Sequence, residues 1–377
     1  MTAASEQTSL DADRANWFDV VVIGGGQAGL ATAWHLAQQG LRYIVLEANE
    51  GLGSSWRARW DSLTLFTPAE FDSLPGLPFP APAGSYPGKD AVADYLASYA
   101  GTTGLNVELN ARVVALGRSG TQFDVRTTDG TYVADQVVVA TGPFQVPFIP
   151  TAAAGLGDSV TQVHSADYRN PRDLPEGQVL VAGGGNSGFQ IAEELAAGRR
   201  VDLSIGTVNP LVPQRLLGRD FIWWLTRLGL MHAPAGSRLG RRMRARGEFV
   251  IGTSRRQLEK AGVRIRPRLV AAHGRTATFA DGSTLDVDAV VWATGYRADY
   301  AWVDIPAVVE DGRVAHRRGV TDVPGLYFVG LAWQHTRGSD RLGFVAEDAG
   351  YLAPLVRRHH DHLASTRIRR GARSHGR

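Results

Sequence analysis

The feature that most constrains the fold is a glycine pattern directly after a short apolar run near the N-terminus. Residues 18–23 predict a buried strand, and Gly24-x-Gly26-x-x-Gly29 then leads into a helical pattern at residues 30–39. A second predicted strand, residues 43–46, ends at Glu47. Strand, glycine turn, helix, strand and acid in this order form the fingerprint of a dinucleotide-binding unit.

Each position of the fingerprint has a physical role. Gly24 allows the tight turn, Gly26 lets the backbone approach a pyrophosphate, and Gly29 lets the helix pack closely on the strand. Glu47 is suited to bind ribose hydroxyls, and the helix N-terminus offers free N–H groups to phosphate. The predicted binding residues of this first unit are Gly24, Gly26, Gln27, Ala28, Gly29, Glu47 and Ala48.

A second fingerprint follows later in the chain. The predicted strand 178–182 precedes Gly183-x-Gly185-x-x-Gly188, a helical segment at 189–197 and a further strand at 201–205. In both halves a later strand ends in Ala-Thr-Gly. Two fingerprints imply two dinucleotides, one tightly held flavin and one exchanging nicotinamide. The residues assigned on this basis are Ala140, Thr141, Gly142, Gly183, Gly185, Asn186, Ser187, Gly188, Ala293, Thr294 and Gly295.

These patterns predict an α/β protein with two nested Rossmann-like domains, as in the flavin disulfide reductases. The simplest layout inserts the second domain into the first. The expected parts are a mobile arm at 1–17, a discontinuous FAD-binding domain at 18–148 and 290–357, an NADPH-binding domain at 149–289 with an aromatic insertion at 216–249, and a loose basic tail at 358–377.

The chain contains no cysteine. This excludes a disulfide framework, thiolate zinc sites, cysteine-ligated iron–sulfur clusters, and flavoenzymes that pass electrons through a cysteine pair of their own. The run His359-His-Asp-His362 is interpreted as surface charge, so no metal site is predicted.

No apolar run reaches the length of a membrane span, and residues 1–16 lack the apolar core of a signal peptide, so we expect a cytoplasmic protein. The formal net charge is +3. Basic clusters at 238–246 and 357–377 predict solvated surfaces, with peripheral contact to an anionic membrane left open. No nucleic-acid module accompanies them, and the sequence leaves monomer and homodimer open.

Further motifs resemble a known family. Together with the two fingerprints, Gly53-x-x-Trp-Arg57, Tyr86-Pro-Gly-Lys89 and Gly325-Leu-Tyr-Phe-Val-Gly330 make residues 18–356 similar to the flavin-containing monooxygenases, of the class B flavoprotein type, and their bacterial relatives. The resemblance implies that NADPH reduces FAD, that O₂ forms a C4a-(hydro)peroxyflavin, and that a small apolar or N/S-containing substrate is oxygenated. It adds Gly53, Trp56, Arg57, Leu65, Val114, Gly330 and Leu342 to the expected cofactor-binding residues.

The family's hallmark, Phe-x-Gly-x-x-x-His followed by Ser-x-x-Tyr, is present only in its second half, Val163-His-Ser-Ala-Asp-Tyr168. The resemblance implies that His164 acts by positioning the domains, and a purely structural histidine is the alternative. Many relatives carry an Asn near the flavin where this chain has Phe66 and Thr67. Asn186 and the nicotinamide amide are therefore the candidates for hydrogen-bond support.

The segment after the last predicted strand lacks the Asp of the flavin disulfide reductases. The resemblance implies that this segment lies beside the isoalloxazine ring. Trp333, His335 and Arg337 are accordingly predicted to face the substrate.

The strand at 201–205 lacks the terminal acid that NAD enzymes carry, and Arg215 and Arg219 follow, which favours NADPH with NADH as the alternative. Arg215 is the predicted ligand of the 2′-phosphate, and packing on the surface is the alternative role. The insertion, which contains Phe221-Ile-Trp-Trp-Leu225, is a cap over the active site, a packing helix or a membrane-surface helix.

Two other functions share these cofactor motifs. An NAD(P)H oxidase or reductase would pass electrons to a quinone or other acceptor without inserting oxygen. A nucleotide-sensing module would bind nucleotide without turnover. Product formed per NADPH, compared with H₂O₂ released, separates the oxygenase from the oxidase.

Overall fold

The computed structural model describes residues 16–374, with side chains up to residue 369. The arm predicted at 1–17 lies outside the described residues except for Asn16 and Trp17, and Trp17 already begins the first strand.

The strands of the first half include a long antiparallel meander. They are β1 (Trp17–Ile23), β2 (Tyr43–Leu46), β3 (Val107–Glu108), β4 (Val113–Ser119), β5 (Gln122–Thr127), β6 (Thr131–Val139), β7 (Val146–Pro147), β8 (Thr161–His164), β9 (Gln178–Ala182), β10 (Arg200–Ser204), β11 (Leu211–Val212), β12 (Arg215–Leu216) and β13 (Arg219–Asp220). Those that follow are β14 (Val250–Ile251), β15 (Arg264–Arg266), β16 (Leu269–His273), β17 (Thr276–Phe279), β18 (Thr284–Asp286), β19 (Ala289–Trp292), β20 (Tyr296–Arg297), β21 (Val309–Glu310), β22 (Arg313–Val314) and β23 (Leu326–Phe328).

The helices lie between the strands along the chain, except the last, which follows β23. They are α1 (Gln27–Gln38), α2 (Ser54–Arg57), α3 (Lys89–Thr103), α4 (Asn186–Ala196), α5 (Phe221–Arg227), α6 (Arg238–Ala245), α7 (Arg255–Lys260) and α8 (Ala346–Ser374), with 3-10 turns at Ala69–Phe71, Thr151–Gly155 and Pro171–Asp173. Among the described residues, no helix combines the length and apolar character needed to cross a bilayer.

The first sheet has the strand order β3-β2-β1-β6-β5-β4, with β23 also beside β6. Strands β1, β2, β3, β6 and β23 run parallel, and β4 and β5 add the antiparallel meander. Every residue of β2 is buried, as expected for a strand covered on both faces. Helices α1, α3 and α8 cover one face of this sheet through a common apolar core.

The second sheet is parallel throughout, with the order β15-β10-β9-β19-β8. The two sheets confirm the predicted α/β class with two nested dinucleotide-binding units. The predicted return to the first domain at residue 290 is wrong in detail. Strand β19, residues 289–292, lies between β9 and β8, so the second unit continues through Trp292.

The chain crosses between the two units twice, and the two crossings are paired. Strand β7 runs antiparallel to β20, with Val146 opposite Arg297. The Phe148 N–H donates to the Gly295 carbonyl at 2.9 Å. A two-stranded ribbon therefore connects the units.

The segment expected to be a loose tail is helical, since α8 continues to Ser374, and of this segment residues 375–377 lie outside the described chain. The physical reason is an ion pair that the sequence pattern does not reveal. Arg367 donates from both terminal nitrogens to Asp135, at 2.8 and 2.6 Å, and the Asp135 residue is 1% exposed. A buried carboxylate needs such a partner, and α8 supplies it.

Candidate active site

The first glycine turn connects β1 to α1 in the geometry that its sequence predicts. Gly24 has φ +108°, and a Cβ built on it would lie 2.8 Å from the Ala140 carbonyl oxygen. A Cβ on Gly29 would lie 1.9 Å from the Gly24 carbonyl oxygen. Larger side chains are therefore excluded at both positions by backbone contacts.

Gly26 differs from its two neighbours in the motif, because a Cβ added there would meet no atom within 4 Å. It is the N-cap of α1, with no side-chain hydrogen bond to the helix end and no acidic residue in the first turn. The N–H groups at this end of α1, which include those of Gln27 and Ala28, are thus available to an anion in open space. These residues fit the pyrophosphate of a dinucleotide.

The second turn, between β9 and α4, repeats the first. Gly183 has φ +142°, and its Cβ would lie 2.0 Å from the Ala293 carbonyl oxygen. A Cβ on Gly188 would lie 2.0 Å from the Gly183 carbonyl oxygen, whereas one on Gly185 would meet nothing within 4 Å. The two Ala-Thr-Gly segments therefore stand at equivalent places, each against the first glycine of its unit.

The two turns differ in the polar group at the end of the second strand. Glu47 follows β2 and accepts from the Gly25 N–H at 2.8 Å and from the Asn49 N–H at 3.0 Å, while Ala48 lies between them. After β10 the position of Glu47 is taken by the apolar Ile205, and the Arg268 Nη2 donates to the carbonyl of the next residue, Gly206, at 2.9 Å. Sequence reasoning missed Arg268 because it lies some sixty residues from the strand it contacts, but the missing acid after β10 pointed to this place.

Arg215, predicted for the 2′-phosphate, has other surroundings. It is exposed on β12, and its Nη2 donates to the Gly84 carbonyl at 3.4 Å. The contacts of Arg215 thus lie with a loop of the first unit.

Other predicted cofactor residues of the first unit lie in packing contacts or on the surface. Gly53, with φ +78°, would place a Cβ 2.6 Å from the Ala93 backbone and so allows α2 to lie against α3. Arg57 pairs with Asp94 on the surface. Val114 is 49% exposed. Trp56 and Leu65 are partly buried against the first core.

Gly330 and Leu342 lie on either side of the loop between β23 and α8. Gly330 has φ +80°, and a Cβ there would lie 2.8 Å from the Ala28 Cβ, so this loop starts beside the first glycine turn. Leu342 is buried in the first core. Ser187 is partly buried in the first turn of α4, and Thr141 accepts from Gln145 at 2.8 Å.

His164 has a fixed tautomer and a structural environment. Its Nδ1 accepts from the Ala166 N–H at 3.1 Å, so Nε2 carries the proton that is donated to the Gly295 carbonyl at 3.1 Å. Burial lowers the pKa of His164, which keeps the ring neutral. Thr294 donates to the Phe148 carbonyl in the same region. His164 therefore ties the end of β8 to the Ala-Thr-Gly turn at the ribbon.

Asn186 is also engaged within the protein. Its Nδ2 donates to the Phe249 carbonyl at 2.8 Å, and its Oδ1 accepts from the Ile251 N–H at 2.9 Å. These bonds tie the start of α4 to the end of the insertion. They give Asn186 a positioning role and leave neither side-chain group without a protein partner.

Trp333 and Arg337 meet at a carboxylate from the insertion. Glu248 accepts from the Trp333 Nε1 at 3.0 Å, from the Arg337 Nη2 at 3.0 Å and from the Arg341 Nη2 at 2.9 Å. Burial opposes ionisation of Glu248, but the two guanidiniums outweigh it and hold the pKa of Glu248 below its usual range. Trp333 has φ +57°, a strained conformation for a tryptophan.

His335 does not take part in this cluster. Its backbone N–H donates to the Ser339 hydroxyl at 3.0 Å, and its carbonyl accepts from the Ala235 N–H at 2.6 Å. Burial lowers the pKa of the ring. The structure thus brings together two of the three residues predicted to face a substrate.

A small cavity lies next to Glu248. Its volume of about 20 Å³ is enough for one water molecule. Its lining combines the Glu248 cluster with apolar groups from the insertion and the 66–67 segment; the residues are Phe66, Thr67, Ile222, Leu225, Met231, Glu248, Phe249, Ile251, Arg337 and Arg341.

Behind this cavity lies a buried acid that sequence reasoning missed. Asp72 is 1% exposed, its Oδ1 accepts from the Thr67 hydroxyl at 2.6 Å, and its Oδ2 has no partner in the described part of the chain. Burial raises the pKa of Asp72 to about 7. No motif marks this residue, because its environment arises from tertiary packing.

Two equivalent glycine turns, each between parallel strands of its own sheet, define a protein that binds two dinucleotides. Residues 21–209 match the family described as pyridine nucleotide-disulphide oxidoreductase. A CzcO-like oxidoreductase from Geobacillus kaustophilus, described as uncharacterised, is 44% identical over 90% of this chain and 99% of that protein.

Similarity extends to proteins described as monooxygenases. The flavin-containing monooxygenase from Stenotrophomonas maltophilia has 28% identity and a TM-score of 0.77, over 91% of this chain and 99% of that chain. The probable indole-3-pyruvate monooxygenase YUCCA9 of Arabidopsis thaliana is 27% identical over 88% of each chain. The chain belongs to the pyridine nucleotide-disulphide oxidoreductase family and is an FAD-dependent oxidoreductase similar to the flavin-containing monooxygenases.

The contrast between Gly26 and Gly29 yields a test of the FAD site. Gly26→Ala adds a methyl group where no protein atom stands, so the fold is expected to persist while most of the bound FAD is lost. Gly29→Ala instead clashes with the backbone and is expected to reduce the yield of folded protein. Flavin absorbance per folded chain, with circular dichroism as the check on folding, distinguishes the two. Full FAD occupancy in Gly26→Ala would contradict the assignment.

The raised pKa of Asp72 makes stability depend on pH in a defined direction. Between about pH 4 and pH 7 the folded chain keeps the Asp72 proton that the unfolded chain releases, so this group costs stability as pH rises to about 7. Asp72→Asn removes that cost, on the order of 2–4 kcal/mol at pH 8. We expect Asp72→Asn to raise the unfolding midpoint of the holoenzyme above that of wild type. This increase should be larger at pH 8 than at pH 5. Asp158→Asn, at an exposed position, is the control; equal effects at both pH values would refute the assignment.

Proposed function

We propose that this protein uses NADPH to reduce FAD and then transfers one oxygen atom from O₂ to a small organic substrate. The observation that carries the proposal is the pair of equivalent glycine turns with different polar groups near the end of the second strand. The first has the carboxylate of Glu47, which suits ribose hydroxyls, and the second has the guanidinium of Arg268. We therefore assign FAD to the first unit and NADPH to the second.

When bound, FAD accepts a hydride and activates O₂ at its C4a atom. The chain's own residues have binding and orienting roles in the proposal. The N-termini of α1 and α4 bind the two pyrophosphates. His164 and Asn186 hold the second unit against the ribbon and the insertion, which sets the position of the nicotinamide.

Water exclusion is the task of the region around the cavity. Phe66, Ile222 and Phe249 place apolar groups there, and the Glu248 cluster joins the insertion to the 331–341 segment. A closed apolar site favours transfer of oxygen to substrate over loss as H₂O₂. This role favours the interpretation of residues 216–249 as a cap.

The oxygenase and oxidase functions give different spectra after reduction. We expect that holoenzyme reduced anaerobically with NADPH and mixed with oxygenated buffer in a stopped-flow instrument will show a transient species with the absorbance of an oxygen adduct at flavin C4a. Direct return to oxidised flavin with stoichiometric H₂O₂ would refute the proposal and support an NAD(P)H oxidase or reductase.

Arg268 makes the coenzyme preference testable. Because a guanidinium beside the adenosine ribose stabilises a 2′-phosphate, Arg268→Ala should raise KM for NADPH by about 10–100-fold and leave KM for NADH nearly unchanged. Arg215→Ala is the matched variant, since Arg215 contacts the Gly84 loop instead. Flavin reduction rates at varied coenzyme concentration give both constants. A selective loss of NADPH affinity in Arg215→Ala, with none in Arg268→Ala, would reverse the assignment.

A further inference from the structure

Arg337 is a buried guanidinium that the protein satisfies only in part. The residue is 5% exposed, and its Nη2 donates to Glu248 at 3.0 Å and to the Gly247 carbonyl at 3.2 Å. Its Nη1 is buried and has no hydrogen-bond partner among the described residues. Leaving a charged donor buried without a partner is unfavourable, so an acceptor at this atom would be stabilised strongly.

The same guanidinium forms part of the cavity wall. Its central carbon lies 4.0 Å from the centre of the Phe249 ring and 5.6 Å from that of Trp333, so aromatic faces fix its plane. The neighbouring walls from α5 are apolar, with Ile222 and Leu225 in a buried cluster that also contains Met231. An ordered cationic fork therefore stands at one end of an apolar enclosure.

The charges of the wall leave an excess of positive charge. Arg337 and Arg341 share the single carboxylate of Glu248, which both contact through the same oxygen, Oε2. Asp340 pairs with the Arg341 Nε at 3.2 Å but is not part of the wall, so the lining itself carries two guanidiniums and one carboxylate. The wall thus favours an anion.

We propose that this cavity is the substrate site and that its substrate is an organic acid, with the carboxylate bound by Arg337 and an aromatic or aliphatic body against Phe249 and α5. A planar guanidinium can donate two parallel hydrogen bonds to a carboxylate. A neutral amide or an amine does not have the two acceptor oxygens that such a pair requires. This inference rests on the proposed function and adds the class of substrate to it.

The size of the cavity adds a requirement. Since about 20 Å³ holds one water, a substrate enters only when part of the wall moves. The seven-residue helix α5 is the mobile wall in this proposal, because Leu228 at its end is 64% exposed and Trp223 and Trp224 are only partly buried. Glu248 occupies the guanidinium face in the closed form and competes with a substrate carboxylate for it.

The test uses oxidised holoenzyme without NADPH, so that binding is measured apart from oxygen chemistry. The probes are 3-phenylpropanoate and its neutral isostere 3-phenylpropanamide, followed by calorimetry and by the difference spectrum of the bound flavin. We expect saturable binding of the acid and at least about tenfold weaker binding of the amide. Equal affinity for the two compounds, or binding of neither, overturns the inference.

Two variants distinguish the contribution of the Arg337 guanidinium from the general effect of removing an arginine that stacks on an aromatic ring. Arg337→Met should weaken binding of 3-phenylpropanoate by about tenfold or more and abolish the preference for the acid over the amide. Arg297→Met is the matched control, since Arg297 also stacks on a phenylalanine, at 4.2 Å from Phe148, but is not part of this cavity wall. The inference fails if Arg297→Met loses acid affinity as Arg337→Met does.

If Arg337→Met does not fold, a second variant, Glu248→Gln, still tests the proposal because it should gain affinity for the acid. Glu248→Gln removes the competing carboxylate and frees Arg337 and Arg341, so the acid should bind several-fold more tightly while the amide is unaffected. Unchanged or weaker acid binding in this variant contradicts the inference.

The outcomes for the two proposals are distinguishable. Selective acid binding by an enzyme that forms no oxygen adduct in the stopped-flow experiment would retain the acid site and reject the oxygenase. An oxygen adduct in an enzyme that does not discriminate acid from amide would retain the oxygenase and reject the acid site.

Discussion

The structure depends on a contact that only glycine permits, the approach of a helix to the strand that precedes it. At Gly29 and at Gly188 a Cβ would come within about 2 Å of a carbonyl oxygen of the same turn. This proximity brings the first turns of α1 and α4 to the carboxyl ends of β1 and β9. Because β6 pairs parallel with β1 and β19 pairs parallel with β9, Ala140 and Ala293 lie against the first glycine of each turn from the other side. Both cofactor sites follow from this one arrangement.

The parts of the fold that rest on local pattern were predictable. Continuous apolar runs between turn residues marked the buried strands, and the prediction of residues 289–292 coincides with β19. The glycine motifs marked both helix N-termini and their equivalence. The organisation into two nested units followed from the repetition of the pattern.

The parts that rest on distant contacts were not predictable. The extent of α8 depends on Arg367 reaching Asp135, which lies 232 positions earlier in the chain. Arg268 meets Gly206 only because β15 pairs with β10. The tertiary environment of Asp72 has no sequence signature. Arg337 was predicted from the resemblance to face the substrate, and that stays a prediction, whereas its unpartnered Nη1 and its contact with Glu248 are visible only in the folded structure.

The ribbon of β7 and β20 has a mechanical consequence for how the two units move. A single linker would act as a universal joint, but two strands hydrogen-bonded side by side resist sliding and twisting. His164, bound to the Gly295 carbonyl beside the ribbon, adds a further link at the same place. The two crossings of the chain thus hold each other in register, so that a nicotinamide carried by the second unit would keep a defined position relative to the first.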